Sequence, residues 1–298
     1  MAHKQSRNTL KSGAVAPSRD NGTGTRMTDK TVLITGATSS IGLLTARELA
    51  AQGARTIITG RDVRRGERAA VELRRFAGHD RVHFLRADST TIEHNRELAE
   101  TVLTRFSRLD VLINHVEASF EQRWETEEGH EATLATNVLG PYALTGSLLP
   151  LLKRSAPSRI VNVTSGAFAT IMRHPFEDLN AEHHYDGLEV FARSKMLRIL
   201  WTFALARKLA SHGVVVNAAD SNSRWHAASK ASVFLASTED HAEVTGTYLE
   251  DSTKPAHATM RTLDVEDQDR VWDLCTTLMA AAKGPRPLPR PRHARDAV

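Results

Sequence analysis

Two kinds of hydrophobic pattern alternate along the chain. Short apolar, β-branched runs such as residues 31–35 are typical of buried parallel strands, and Gly36 ends this first run. Residues 41–51 then place apolar side chains at helical spacing before Gly53. Further strands are predicted at 55–59, 81–87, 110–114, 159–164, 213–217 and 246–249. Further helices are predicted at 62–76 (capped by Asp62), 91–106, 128–137, 141–152, 188–210, 227–236 and 265–281.

This alternation of strand and helix, with short connections, predicts the fold class. Parallel strands joined by helical crossovers form a sheet that is covered on both faces. We therefore expect an α/β fold with a doubly wound parallel sheet in a single domain.

Charge separates the two ends of the chain from its middle. The 298 residues carry a net charge of +4, but residues 1–26 and residues 283–298 each carry +4, so the middle carries −4. The sequence therefore predicts a disordered basic tail at 1–26, a folded domain at 27–282 and a disordered Pro/Arg-rich tail at 283–298. A mildly acidic domain argues against a nucleic-acid partner. Met27 is a candidate start of the native chain.

The composition is that of a globular protein, and the cysteine count fits a reducing compartment. No run approaches the roughly 20 apolar residues of a membrane helix, and no hydrophobic signal core is visible near the start. Cys275 is the single cysteine, so no internal disulfide can form. We expect a cytoplasmic protein with no membrane partner.

The connection between the first strand and the first helix is rich in small residues. It contains Gly36, Ser39, Ser40, Ile41 and Gly42. In a strand–turn–helix context, such a turn lets backbone N–H groups approach a pyrophosphate at the helix N-terminus. The alternative is a plain tight turn.

Several further short matches accompany that turn. They are Thr35, segment 45–50, Gly60 to Asp62, Ala87 and Asp88, segment 112–114, Asn137, segment 162–165, segment 175–179, and Ser194 with Lys195. With them the chain resembles the short-chain dehydrogenase/reductase family, most closely its retinol-dehydrogenase-like branch, over about residues 30–281. The resemblance implies a Rossmann-type fold.

The resemblance also implies a dinucleotide site. The turn would hold the pyrophosphate, and Asn114 and Lys195 would join the cofactor contacts. Arg61 would pair with the 2′-phosphate of NADP(H), or else it is an exposed arginine at a helix start. Asp88 would contact adenine, or else it is an N-cap or loop residue. No metal is expected, because no metal-ligand spacing of histidines or cysteines appears.

The family transfers hydride with Asn, Ser, Tyr and Lys. Asn137, Ser165 and Lys195 stand at three of these positions, whereas Phe191 stands at the tyrosine position of Tyr-x-x-x-Lys. A phenyl ring can neither donate nor accept a proton. Loss of one positioned acid/base typically costs about 10²–10⁴-fold in rate. Tyr185 is expected to be a loop residue rather than a substitute.

Other departures surround the same predicted cleft. Ser40 replaces a turn glycine, and Glu117 replaces the glycine that ends the family's Asn-Asn-Ala-Gly segment, which here reads 114–117. Ser221 and Asn222 replace Pro-Gly, and a short link to the helix near residue 227 leaves no room for the family's longer substrate-covering segment. We expect a more open, wetter pocket.

Three functions remain open. Glu117, Asp220, His115 and Lys195 offer acid/base groups for repurposed, non-redox chemistry on a small molecule, such as cyclisation, dehydration or isomerisation. The bland alternatives are that Glu117 and Asp220 are exposed loop residues and that Lys195 is a residual ribose contact. The second function is a non-catalytic binding or scaffold protein. The third is a slow NADP(H)-dependent reductase. A homo-oligomer is compatible with all three.

Overall fold

The computed structural model describes residues 27–171, 173–221, 225–239, 242–250, 254–255 and 262–281. Side chains are described from residue 229 onward in the helix that begins at 225, and those of residues 254–255 are not. The two predicted tails, Asn222 and the short link that follows it lie outside the described residues. Within these ranges, no helix combines the length and apolar character needed to cross a membrane.

Strands and helices alternate as the hydrophobic pattern predicts. The strands are β1 (Thr31–Ile34), β2 (Arg55–Gly60), β3 (Val82–Arg86), β4 (Val111–Asn114), β5 (Ser158–Thr164), β6 (Val214–Asp220), β7 (Tyr248–Glu250) and β8 (Lys254–Pro255). The helices are α1 (Ser40–Ala51), α2 (Val63–Ala77), α3 (Ile92–Arg105), α4 (Ala132–Leu134), α5 (Gly140–Arg154), α6 (Gly187–Leu209), α7 (Trp225–Ser237) and α8 (Val265–Ala281). A π-helical turn spans Ala135–Leu139, and a 3₁₀ helix spans Gly166–Thr170.

The strands form one sheet in the order β3-β2-β1-β4-β5-β6-β7-β8. β1 to β7 are parallel, and the two-residue β8 adds an antiparallel edge that the sequence does not predict. The predicted doubly wound α/β fold is confirmed. The strand order reverses between β1 and β4, so a cleft opens beyond their carboxyl ends, where ligands bind in such sheets.

Local sequence explains where the helices begin. Asp62 accepts a hydrogen bond from the Arg65 backbone N–H at 2.9 Å and caps α2, as predicted. The helix predicted at 128–137 is wrong in its start and its type. The Glu131 carboxylate accepts the N–H groups of Thr133 and Leu134, so helical structure begins only at Ala132 and then widens into the π-helical turn.

Apolar side chains fill the space on both faces of the sheet. One cluster packs β-sheet residues such as Leu112 against α3, α5 and α6, and the other packs residues such as Ile34 against α1, α2 and α7. α6 is buried around most of its circumference, with Trp201 fully enclosed. Polar residues of α6 that lie inside this core therefore need internal partners.

Candidate functional site

The turn between β1 and α1 packs against the segment that follows β4. Gly36 has a φ of +67°, and a Cβ added to it would lie 2.9 Å from Cγ2 of Val116. A Cβ added to Gly42 would lie 2.9 Å from the carbonyl oxygen of Gly36. Close backbone approach therefore requires both glycines. The turn has the shape with which backbone N–H groups can meet a phosphate at a helix start.

Ser40 adopts the same left-handed backbone region as a glycine would. Its φ is +53°, which side-chain-bearing residues seldom adopt. Ser39, by contrast, has extended backbone with a φ of −160° and caps α1 without a side-chain hydrogen bond. Ser40 and Ile41 begin α1, so the predicted turn residues lie together at its N-terminus.

An ion pair lies just beyond the carboxyl end of β4. The Lys195 Nζ donates a hydrogen bond to Oε2 of Glu117 at 2.5 Å. The Lys195 side chain is completely buried, whereas 37% of the Glu117 side chain is exposed. The structure therefore brings these two predicted residues together across 78 positions of sequence, and of the two side chains only that of Glu117 is partly exposed.

The pair changes the acidity of both groups. Burial alone would raise the pKa of Glu117, but the charge and hydrogen bond of Lys195 outweigh it, so the pKa lies below its ordinary value. Burial lowers the pKa of Lys195, and the charge of Arg198 lowers it further, against the pull of Glu117. Glu117 is therefore an anion at neutral pH, and Lys195 is a stronger acid than an exposed lysine.

Phe191 lies one helical turn before Lys195. The Nζ of Lys195 is 4.8 Å from the centre of the Phe191 ring, a distance at which the ring face attracts a cation. Tyr185 donates its hydroxyl to the Phe120 carbonyl oxygen at 2.9 Å, so it belongs to the loop packing, as predicted.

Asn137 lies in the π-helical turn and holds the residue next to Glu117. Its side chain donates to the Ala118 carbonyl oxygen at 2.9 Å and accepts from the Ala118 N–H at 2.8 Å. It also donates to the Ser194 hydroxyl at 2.9 Å. The amide is therefore engaged with the protein on both its nitrogen and its oxygen.

Asp220, at the end of β6, is hydrogen-bonded within the fold. It accepts from the Tyr248 hydroxyl at 2.7 Å and from the Gly166 N–H at 3.3 Å. Only 3% of Asp220 is exposed, so the alternative of an exposed loop residue is wrong. Ser165 is buried beside it, and its hydroxyl accepts the Ala167 N–H at 3.3 Å. Asp220 thus supports the Ser165 turn rather than facing the cleft as an open base.

Sequence reasoning missed Tyr248 and Arg198. Tyr248 reaches Asp220 because β7 pairs in register with β6, with Tyr248 opposite Ala218, which the sequence alone does not specify. Arg198 is fully buried and donates to the carbonyl oxygens of Val116, Asn137 and Val163. The available signal was its spacing, three residues after Lys195 on one face of α6.

His115 lies under the turn as a neutral ring. Burial lowers its pKa to about 4. Its Nε2 has no hydrogen-bond partner among the described residues. Protonation would place a third cation beside Lys195 and Arg198, which this buried setting opposes.

The other predicted cofactor residues are more scattered. Arg61 is exposed at the start of α2. Asp88 lies in the loop before α3 and accepts from the N–H and hydroxyl of Thr90, whereas Thr91, not Asp88, caps the helix. Asn114 is fully buried and donates to Thr145 and Asn162, so its side chain bridges the sheet and α5.

The two ends of the dinucleotide site implied by the fold differ in their fit. The turn at Gly36 and Gly42 fits a pyrophosphate. At the other end, Glu117 holds the ammonium of Lys195 that the resemblance assigns to the nicotinamide ribose. A carboxylate at that place adds bulk and negative charge beside an anionic ligand. The residues around Lys195 therefore do not fit the nicotinamide half. Within the described part of the chain, no cluster of side chains could hold a metal ion.

Comparisons with known proteins agree with the fold. The family model described as short chain dehydrogenase matches residues 30–222. Retinol dehydrogenase 13 of Mus musculus is 39% identical over 191 residues, which cover 63% of this chain and 57% of the relative. Retinol dehydrogenase 12 of Homo sapiens is 39% identical over 196 residues, covering 66% and 62%. The chain thus spans about three fifths of the length of these curated relatives.

Solved structures share the architecture. An uncharacterised protein from Mycobacterium paratuberculosis superposes with a TM-score of 0.75 at 28% identity, covering 86% of this chain and 96% of that one. A Pseudomonas aeruginosa protein, RhlG in complex with NADP, superposes with a TM-score of 0.62 at 22% identity, covering 76% and 97%. The second likeness concerns the fold alone.

Proposed function

Because this chain belongs to the short-chain dehydrogenase family, we propose that it keeps the family's cleft but uses it for non-redox proton transfer on a small molecule. Cyclisation, dehydration and isomerisation are reactions of this class. Glu117 is the proposed base, and Lys195 is its buried cationic partner. The observation that carries the proposal is the 2.5 Å contact between them, in which Lys195 is completely buried and the Glu117 side chain is partly exposed.

The chemistry follows from the charges. Glu117 is ionised at neutral pH, and Oε2 accepts the Lys195 hydrogen bond, so Oε1 is the atom proposed to take a proton. A carbon acid next to a carbonyl is a suitable donor. As the proton moves to Oε1, the negative charge moves from the carboxylate to the enolate, and the Lys195 ammonium on Oε2 is the proposed cation that attracts it there. The proton returns to another carbon of the substrate, so no electrons are exchanged.

The proposal does not use hydride transfer. Phe191 stands where the family has its proton-donating tyrosine, and the residues around Lys195 do not fit the nicotinamide half of a dinucleotide. The turn at residues 35–42 and the exposed Arg61 favour residual NADP(H) binding, whereas Glu117 opposes it. The proposed reaction therefore uses no dinucleotide.

A specific observation supports a second candidate, a non-catalytic binding member. Lys195 is completely buried, and the Asn137 side chain is engaged with Ala118 and Ser194. Two of the family's four catalytic groups are thus committed to internal contacts. In this alternative the ion pair is a structural element.

Isomerisation of cyclohex-3-enone to cyclohex-2-enone tests the first candidate directly. The base removes the proton between the carbonyl and the double bond, and the distal alkene carbon receives one, which ultraviolet absorbance follows. We expect the wild type to exceed the background rate and Glu117→Gln to lose about 10²-fold or more of that acceleration. Glu121→Gln, a change to an exposed glutamate of the same loop, is the matched control. Equal rates for wild type and Glu117→Gln would favour the binding candidate.

A cofactor titration tests the exclusion of redox chemistry. We expect no micromolar binding of NADPH or NADH to the wild type in calorimetry. We also expect Phe191→Tyr to bring little carbonyl reduction, because Glu117 still holds Lys195. Rapid NADPH oxidation by the wild type with a simple ketone, abolished by Lys195→Met, would overturn the proposal.

A further inference from the structure

The backbone on both sides of Glu117 is held by two side chains. Asn137 binds the N–H and the carbonyl oxygen of Ala118, the residue after Glu117. Arg198 donates from Nη2 to the carbonyl oxygen of Val116, the residue before it, at 3.0 Å. The segment that carries the carboxylate is therefore fixed at both neighbours.

Arg198 links this segment to two other parts of the site. Its Nε donates to the Asn137 carbonyl oxygen at 2.8 Å, and its Nη1 donates to the Val163 carbonyl oxygen at 2.5 Å. One planar group thus ties together the β4 segment, the π-helical turn and the end of β5. A guanidinium can do this because its donors diverge in fixed directions, which a lysine ammonium cannot reproduce.

Arg198 has no carboxylate within 4.0 Å among the described residues, although it is fully buried. Burial lowers its pKa to about 10, while Glu117 opposes that shift through space. A buried cation whose hydrogen bonds all go to carbonyl oxygens is an expensive arrangement. Two of its three contacts, to Val116 and to Asn137, hold the segment that carries Glu117, and the third anchors the guanidinium on β5 at Val163.

We infer that Arg198 is a positioning residue, which holds the 116–118 segment so that the Glu117 carboxylate stays on Lys195 and faces the cleft. This inference deepens the proposed function and rests on it for its catalytic meaning. Its test measures the Glu117–Lys195 ion pair directly. A negative result there is therefore distinguishable from a negative result in the isomerisation assay of the proposed function.

The test measures how well Glu117 shields Lys195. Acetylation of Lys195 by acetic anhydride is quantified by peptide mass spectrometry and normalised to exposed Lys153. We expect Lys195 in the Arg198→Met variant to be acetylated about tenfold faster than in wild type. This corresponds to about 1.4 kcal/mol lost from the stability of the closed Glu117–Lys195 pair. Loss of the Arg198 charge alone would raise the pKa of Lys195 and slow the reaction. Positioning and simple electrostatics therefore predict opposite signs.

Two further variants complete the design. Glu117→Gln should also accelerate acetylation, and adding Arg198→Met to it should bring no further increase, because both act through one contact. Arg193→Met is the matched control, since Arg193 is a buried arginine of α6 that donates to the carbonyl oxygens of Glu177 and Asp178, away from Glu117. It should leave Lys195 as slow as in wild type.

Unchanged or slower acetylation in Arg198→Met, or additive effects in the double variant, would overturn the inference. If circular dichroism shows that Arg198→Met does not fold, Arg198→Lys takes its place. It keeps the charge but not the three directed hydrogen bonds, so the expected acceleration and the overturning result are the same.

Discussion

Two neighbouring segments at the carboxyl edge of the sheet are defined in different ways. The turn at residues 35–42 is defined by its backbone, and Ser40 adopts the left-handed region there that glycine adopts most readily. In the segment at residues 114–118, Glu117 places a carboxylate on Lys195. The two touch where Val116 approaches Gly36.

The difference teaches that backbone shape and side-chain chemistry can change separately. The turn is defined by φ values and close backbone approach, so a serine can occupy it at the expense of local strain. The second segment is defined by what its side chains contact, so the single carboxylate of Glu117 sets the charge and acidity around Lys195. A fold can therefore be the same in two proteins whose sites differ.

The largest expected effect comes from breaking the ion pair on one side. Glu117→Gln leaves a fully buried ammonium without its counter-charge, which we expect to destabilise the fold by about 3 kcal/mol. Lys195→Met leaves a glutamate whose side chain is 37% exposed, so we expect water to hydrate its charge and the loss to be about 1 kcal/mol or less. Urea unfolding at pH 7 measures both. Equal losses would mean that water reaches Lys195 as readily as Glu117.

A smaller effect is expected only at acidic pH, and it tests the neutral ring of His115 beneath the turn at residues 35–42. Unfolded His115 takes up a proton near pH 6.5, whereas the folded ring does so only near pH 4, so stability falls as pH drops through that window. The contribution is about 2 kcal/mol at pH 5. His115→Asn should therefore lose less stability than wild type between pH 7 and pH 5.

Urea unfolding at the two pH values gives this difference. His184→Asn, a change to an exposed loop histidine, serves as the control and should retain the wild-type loss. An identical pH dependence in His115→Asn and wild type would show that the folded ring is protonated as easily as the unfolded one.

The smallest expected effect concerns the strained turn. Ser40→Gly relieves a left-handed backbone that costs an L-residue about 1–2 kcal/mol, less about 0.5–1 kcal/mol for the greater freedom of glycine when unfolded. We expect a net gain of about 0.5 kcal/mol in urea unfolding. Ser39→Gly, at extended backbone, should lose stability instead. If both variants lost stability, the backbone at Ser40 would not be strained.

Much of the fold could be predicted from the sequence because its signals are local. The strand at 158–164 and the helix at 187–209 differ from their predictions by a residue at each edge or less. The π-helical turn was missed because its wider spacing resembles an ordinary helix in the sequence. β8 was missed because a strand of two residues is too short to show an alternation of apolar and polar positions.

The site was less predictable because it depends on contacts between distant residues. Glu117 and Lys195 could be assigned to one cleft, but their hydrogen bond depends on the path of residues 114–118. Arg198 resembles a surface residue of an amphipathic helix until the structure shows that α6 is buried on nearly all sides. Tyr248 depended on the register between two strands.

The three carbonyl contacts of Arg198 have a consequence for the order of folding. They span 35, 61 and 82 positions of sequence, and all three acceptors precede the arginine in the chain. Closing such long loops is slow relative to forming local helices and neighbouring strands. The sheet needs a closure of similar length, because β1 and β4 pair across 79 positions, as in Val32 with Val111. The 116–118 segment is fastened only when α6, which supplies Arg198, docks on the sheet. Compact states formed before that docking would hold the strands together but leave Glu117 and Lys195 apart.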